Sequence, residues 1–272
     1  MTRALRLSAT LVAAALMLTG CGRAKEQARR QPVRLTIYLP CVIGGPLQKV
    51  AAAYEASHPG VELALQTYKP FESLSAPKEG SAVAITVGEL EMESLVRAGL
   101  ADEGGVRTFA TNTSPLAVVA AAEGAPGLKQ LSDLARPSVT RIFLEDPEKS
   151  SLGARAVEGF QKLGLWEKLK PKAVSPPAGV MVLGELLAGK ADAAVVFKGC
   201  LFGEGGEGGQ PPKTVRVVGE LPPDLYRPIP YQVAAIKAGT RPEVAQGFVD
   251  FLVSEKGSEA LRGAGLTPTG RP

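Results

Sequence analysis

Residues Val33 to Leu65 read VRLTIYLPCVIGGPLQKVAAAYEASHPGVELAL, and the period of their apolar side chains changes twice within that stretch. Val33, Leu35, Ile37 and Leu39 alternate, as a strand with a buried face requires. From Pro46 onward Leu47, Val50, Ala51 and Tyr54 recur at helical spacing, with proline in the first turn, where its missing N–H costs nothing. Pro59 and Gly60 stop that helix, and Val61, Leu63 and Leu65 resume the alternation. Strand, helix, strand is the βαβ unit, which predicts neighbouring parallel strands with the helix packed across them.

Downstream the pattern repeats. Ala82 to Val87 is an apolar run with strand character, and Met92, Leu95 and Val96 form a helical stripe ending at Gly99. A second series follows: Leu116 to Ala120 as strand, Leu128, Leu131 and Leu134 as helix, and Arg141 to Leu144 as strand. Next come a long helix from Ser151 to Leu163, a helix around Val180 to Leu187, and Ala193 to Phe197 as a strand buried on both faces. Gly203 to Lys213 has no apolar period and reads as a surface loop. Thr240 as N-cap, Pro242 in the first turn, and Val244, Phe248, Phe251 and Leu252 on one face define a late helix, followed by a shorter one over Glu255 to Leu261. No repeat of fixed period appears. The prediction is an α/β protein of two units in tandem, the first series forming a parallel sheet and each unit a sheet flanked by helices.

Upstream, Arg3 and Arg6 precede an apolar run from Leu7 to Leu18 that is too short to span a bilayer. Residues 1–20 therefore read as a signal peptide. Leu18, Thr19, Gly20 and Cys21 resemble the bacterial lipobox, which implies cleavage before Cys21 and lipidation of its sulfur. Residues 21–32, polar and basic, would be the tether of an extracytoplasmic, membrane-anchored lipoprotein in the periplasm or on the cell surface. Loss of Arg3 and Arg6 lowers the formal charge from +4 to about +2, a balance that gives no reason to expect a nucleic-acid partner. About 240 residues remain for the folded part, enough for one large domain or two lobes.

Catalytic chemistry finds little support. His58 is the only histidine, and its SHPG context is that of a helix-terminal turn, which excludes His-rich zinc sites and a Cys-His nucleophile pair. Glu145 and Asp146 are adjacent carboxylates, but Asp146 before Pro147 is explained by turn formation and helix entry. GEGGEGG has neither the lysine nor the helix of a phosphate loop, and no cofactor fingerprint is present. No catalytic residue and no cofactor is expected; the chain reads as a binder, not an enzyme.

A family resemblance enters with Leu144 to Trp166, LEDPEKSSLGARAVEGFQKLGLW, which resembles the molybdate-binding proteins of ABC importers in its DPxxxxxG entry to a helix that ends in KLGxW. GELLAGKADAAVVF, Gly184 to Phe197, is similar to their next helix–strand unit. YQVAAI and VAQGFVDFLVSEKGSEALRGAGLTP resemble the return strand and closing helices of type II solute-binding proteins. The resemblance implies a two-lobed Venus-flytrap fold, with lobe I over 33–112 plus 231–272 and lobe II over 113–230. It also implies a monomer that captures a small inorganic ligand in the cleft and delivers it to an ABC permease.

Such a cleft is edged by loops at the carboxyl ends of parallel strands, where helix N-termini offer backbone N–H groups to anions. Five loops qualify: Pro40 to Gly45, Lys69 to Ser73, Lys149 to Gly153, Pro177 to Val180, and Phe197 to Cys200. They nominate Cys41, Val42, Gly44, Ser73, Ser151, Leu152, Gly179, Phe197 and Cys200 as ligand-binding residues. The chain departs from the resembled family where Val42 stands in place of a serine and Phe197 in place of a tyrosine. Ser150 and Ser151 serve equally well as helix caps.

Apart from Cys21 the cysteines are Cys41 and Cys200, which the resemblance places beside the cleft. Three readings are open: a disulfide, a thiolate pair for a soft metal or metalloid such as Cu(I) or arsenite, and two small residues without a joint role. The ligand class is accordingly an oxyanion or a soft metal. The alternative function is a thiol-based metal carrier, or a redox or metal sensor, that works without a transporter.

Overall fold

The computed structural model describes residues 32–67, 81–111, 115–120, 127–176, 182–202, 213–237 and 239–269. The signal peptide, nearly all of the tether and nearly all of the Gly203–Lys213 loop fall outside them. In chain order the described elements are β1 (Val33–Leu39), α1 (Gly44–Ser57), β2 (Val61–Thr67), β3 (Ser81–Val87), α2 (Glu89–Arg97), β4 (Arg107–Thr111), β5 (Pro115–Ala120) and β6 (Ile142–Phe143). There follow α3 (Ser151–Lys162), α4 (Trp166–Leu169), β7 (Ala173–Val174), α5 (Val182–Leu187), β8 (Ala193–Phe197), α6 (Lys198–Phe202) and β9 (Val215–Glu220). The chain closes with β10 (Pro230–Ala235), α7 (Pro242–Leu252), α8 (Glu255–Gly263) and β11 (Thr267–Pro268).

Two sheets form. The first has the order β11-β4-β10-β3-β1-β2 and the second β7-β6-β8-β5-β9. Strands of the first come from both ends of the described chain, and strands of the second from its middle. The βαβ unit read from Val33 to Leu65 is present, with β1 parallel to β2 in register from Val33↔Val61 to Leu39↔Thr67. Strand β3 is also parallel to β1.

The parallel sheet expected of the first series is mixed, because β10 runs antiparallel to β3 and β4, and in the second sheet β5 runs antiparallel to β8 and β9. These are the strands nearest the two passages between sheets. A strand that arrives from the other sheet, without a crossover helix to reverse its entry, is free to pair antiparallel. Two local corrections accompany it. The helix expected through Leu128, Leu131 and Leu134 is only a 3-10 turn over Leu131–Ala135. The Asp133 carboxylate accepts from the N–H groups of Lys129 at 2.7 Å and Gln130 at 3.2 Å, and Arg136, preceding Pro137, is extended. The N-cap of α7 is Arg241, one residue beyond Thr240, and its N–H donates to Ser81 Oγ at 3.1 Å.

Alternation explains how single strands serve two cores. In β3, Val83, Ile85 and Val87 join the main apolar cluster, while Ala82 and Ala84 face Met92 and Leu95 of α2. In β8, Ala193, Val195 and Phe197 join the main cluster, while Ala194 and Val196 meet Leu186 of α5. Each fully buried Leu, Ile or Phe contributes about 1.5–3 kcal/mol of transfer free energy. The main cluster contains residues of both sheets, so the two units share an apolar seam. His58 is the C-cap of α1 and stacks on Tyr54 at 4.0 Å between ring centroids, as its turn context requires.

Candidate functional site

Pro40 follows β1 without an N–H to continue the ladder, and Cys41–Ile43 form a 3-10 turn that feeds α1. In the other sheet β8 ends at Phe197 and passes directly into α6. These two strand ends meet. Cys41 and Cys200 are joined by a disulfide, with Cα atoms 5.2 Å apart and a sequence separation of 159. Beside it a Cβ built on Gly199 would lie 2.6 Å from both Val42 Cγ2 and Val42 O, so the backbones touch where only glycine fits. A cavity of about 270 Å³ opens next to the bridge, edged by Cys41, Gly44, Gln48, Thr67 and Cys200.

A second contact joins the units at the start of α3. Gly88, at φ 102°, turns β3 into α2 and lies so close to Ser151 that a side chain there would collide with it. Ser150 is the N-cap of α3, its Oγ accepting from Gly153 N–H at 3.5 Å and donating to Glu145 Oε2. The Ser151 N–H donates to Glu91 Oε1 at 2.9 Å, and Ser151 Oγ accepts from Leu90 N–H at 3.2 Å. One turn further, Arg155 pairs with Glu89. Arg155 also lies 3.9 Å from Glu158, whose other oxygen is 3.3 Å from Arg227.

This contact is buried, and its charges are unevenly matched. Ser151, Arg155 and Glu91 are 0%, 2% and 7% exposed. Among the described residues Glu89 Oε2, Glu91 Oε2 and Arg155 Nε are buried without a hydrogen-bond partner. Burial pushes the Glu91 carboxyl up to about 7, against hydrogen bonds from Ser151 that pull it down, and the neighbouring Glu145 charge adds to the rise. Burial likewise raises Glu145, partly offset by its hydrogen bond with Ser150. The N-terminus of α3, where an anion would be welcome, already holds a carboxylate from the opposite unit.

The nominated residues divide accordingly. Cys41, Gly44 and Cys200 edge the cavity, and Ser151 sits at the inter-unit contact. Val42, Leu152 and Phe197 are core residues, 5%, 3% and 8% exposed, so their side chains pack the loops and only their backbones could offer polar groups. Ser73, Gly179 and Cys21 lie outside the described residues. A soft metal would need two free thiolates at Cys41 and Cys200, and in the structure the two sulfurs are bonded to each other. Among the described residues no group of three or more His, Cys, Asp or Glu is placed to hold a metal ion. Asp146 is a turn residue, its Oδ1 accepting from Glu148 N–H at 3.0 Å.

Glu89, Glu91 and Arg155 were not nominated from the sequence. The available signal was that Glu91 falls four residues before Leu95 on the apolar stripe of α2, and Arg155 three after Leu152 on that of α3. A charge on a buried face demands a partner.

The profile of bacterial extracellular solute-binding proteins matches residues 35–267. YvgL of Bacillus subtilis (strain 168), assigned as an ABC transporter substrate-binding lipoprotein, is 24% identical over 259 residues, 93% of this chain and 94% of that protein. The molybdate-binding protein ModA of Rhodobacter capsulatus is 28% identical over 128 residues, 47% of each chain, so the match spans about half the length of that relative. The structure of the periplasmic molybdate-binding protein of Azotobacter vinelandii superposes with a TM-score of 0.59 at 19% identity, covering 86% of this chain and 98% of that one. At that identity the likeness is one of fold: a two-lobed type II periplasmic binding architecture, each lobe a sheet flanked by helices. These matches are to binding proteins and not to enzymes.

Proposed function

The chain belongs to the bacterial extracellular solute-binding proteins, and from that premise we propose that it captures a small oxyanion between its lobes and hands it to an ABC permease. The lobes are residues 33–112 with 231–272, and residues 113–230. The observation that carries this reading is the meeting of a helix N-terminus from one sheet unit with residues of the other: Ser151 N–H, at the start of α3, faces α2. Helix N-termini carry unpaired N–H donors and a partial positive charge, and a small anion takes both. The soft-metal alternative is disfavoured by the Cys41–Cys200 bond.

The binding groups proposed are the N–H and Oγ of Ser151 and backbone donors of the loops at Val42, Leu152 and Gly179, with Ser73 supplying a further hydroxyl, while the Gly44 N–H is already given to the Cys41 carbonyl. Cys21 anchors the chain to the membrane through a lipid, and residues 22–32 give it reach toward a permease. Mass action supplies a direct test, since a ligand at a hundred times its Kd stabilises the folded state by about 2.7 kcal/mol. Thermal unfolding with molybdate, tungstate, sulfate, Cu(I) and arsenite separates the readings: stabilisation by an oxyanion alone is expected. Stabilisation by Cu(I) or arsenite alone would replace the oxyanion reading with the thiol-based carrier. For the anchor, metabolic labelling with a radioactive fatty acid is expected to tag the wild-type protein and not Cys21→Ala.

A further inference from the structure

We propose that the Glu91 carboxyl is the protein's own occupant of the anion position at the N-terminus of α3, displaced when an oxyanion binds, so that Glu91 sets the affinity and the pH range of capture. The inference rests on the oxyanion reading above and concerns the same site.

Three observations support it. Glu91 comes from α2 in one unit, and its Oε1 accepts from Ser151 N–H in the other, which is where an anionic oxygen of a ligand would sit. Its second oxygen is buried and unpartnered among the described residues, so half of the carboxylate is left unsatisfied in this position. The groups around it are mostly acidic: Glu89 on its own helix, Glu145 on the segment leading to α3, and Glu158 on α3, with Arg155 among them and Arg227 outside. A metal ion does not resolve this imbalance, because no metal-holding cluster is found among the described residues.

The direction of the pH effect follows from proton linkage. In the empty cleft burial raises Glu91 to about 7, whereas a Glu91 turned out to water returns to the ordinary carboxylate range. Displacement in mildly acid solution therefore releases a proton, and anion affinity rises with pH up to about 7 and levels off above it. Between pH 5.5 and pH 8 the apparent affinity is expected to tighten about thirty-fold.

The test is calorimetric titration of the full chain with sulfate and with molybdate at pH 5.5, 6.5 and 8, in reducing buffer so that the Cys41–Cys200 bridge does not limit opening. Wild type is compared with Glu91→Gln, which keeps an acceptor for the Ser151 N–H but cannot ionise, and with Glu91→Ala. The expected result is a steep pH dependence with proton release for wild type, a flat profile for Glu91→Gln, and tighter binding for Glu91→Ala at every pH, most of all at pH 5.5. If wild type binds an oxyanion but Glu91→Gln keeps the same pH slope, the role of Glu91 is refuted while the oxyanion reading stands. If neither wild type nor Glu91→Ala binds either anion, both fall.

Discussion

Breaking the Cys41–Cys200 bridge should cost this protein more stability than any single side-chain truncation in its core. The bridge closes a loop with a sequence separation of 159. In the chain-entropy treatment a loop of that size removes about 17 cal/mol/K from the unfolded ensemble, or about 5 kcal/mol at 25 °C. With a urea m-value of about 3 kcal/mol/M, that is a midpoint shift of roughly 1.5–2 M. The assay is equilibrium urea unfolding of air-oxidised wild type, of wild type in excess dithiol reductant, and of Cys41→Ser/Cys200→Ser. Reduction of the bridge takes two electrons and two protons from the dithiol, leaving two thiols and an oxidised reductant, and the reduced protein should match the double serine variant. Two free thiols at Cys41 and Cys200 in the air-oxidised protein would refute the bridge. Coincident unfolding curves would refute its energetic weight.

Three further outcomes are expected. Glu91→Gln removes an ionisation that the fold resists: a carboxyl raised to about 7 keeps its stabilising proton at low pH and loses it as pH rises through that value, so wild type loses about 2.5 kcal/mol between pH 5 and pH 8. The Gln variant should show a flatter profile in thermal unfolding across that window, and parallel profiles would contradict the assignment. Gly199→Ala forces a methyl against Val42 and is expected to destabilise by about 1–3 kcal/mol. Val42→Ala should rescue it only in part, because the Val42 carbonyl is equally close; complete rescue in a double-mutant cycle would show that the side chain alone sets the limit. Arg155→Met leaves the half-buried Glu89 carboxylate beside Glu91 without its cation, and a loss of about 1–3 kcal/mol in chemical unfolding at pH 8 is expected, below the full penalty for a buried pair because water still reaches Glu89.

How far the fold could be read from the chain depended on whether an element showed one period. Val33 to Leu65 did, and strand, helix and strand fall where the alternation placed them. Strand β4 did not, because RTFAT buries only Phe109 and Ala110, too few for a pattern. The antiparallel pairing of β5 and β10 was hidden because strand direction follows from where the chain re-enters a sheet, which local sequence does not encode. In the site, the entry to α3 and the two cysteine loops were marked by proline, glycine and serine. Glu89 and Glu91 were not, since acids in the first turn of a helix already have a local explanation in the helix dipole. Their partners, Arg155 and Ser151, lie some sixty residues away in the other sheet unit.

The most direct measurement is the position of a bound oxyanion, read from the anomalous scattering of molybdenum or tungsten in crystals of the reduced protein grown with molybdate or tungstate at pH 8. One strong peak is predicted beside the start of α3, one metal–oxygen bond beyond an anion oxygen that accepts from the Ser151 N–H, with Glu91 turned away from α3. A peak elsewhere, or Glu91 still accepting from Ser151 in crystals saturated with the anion, would contradict the account.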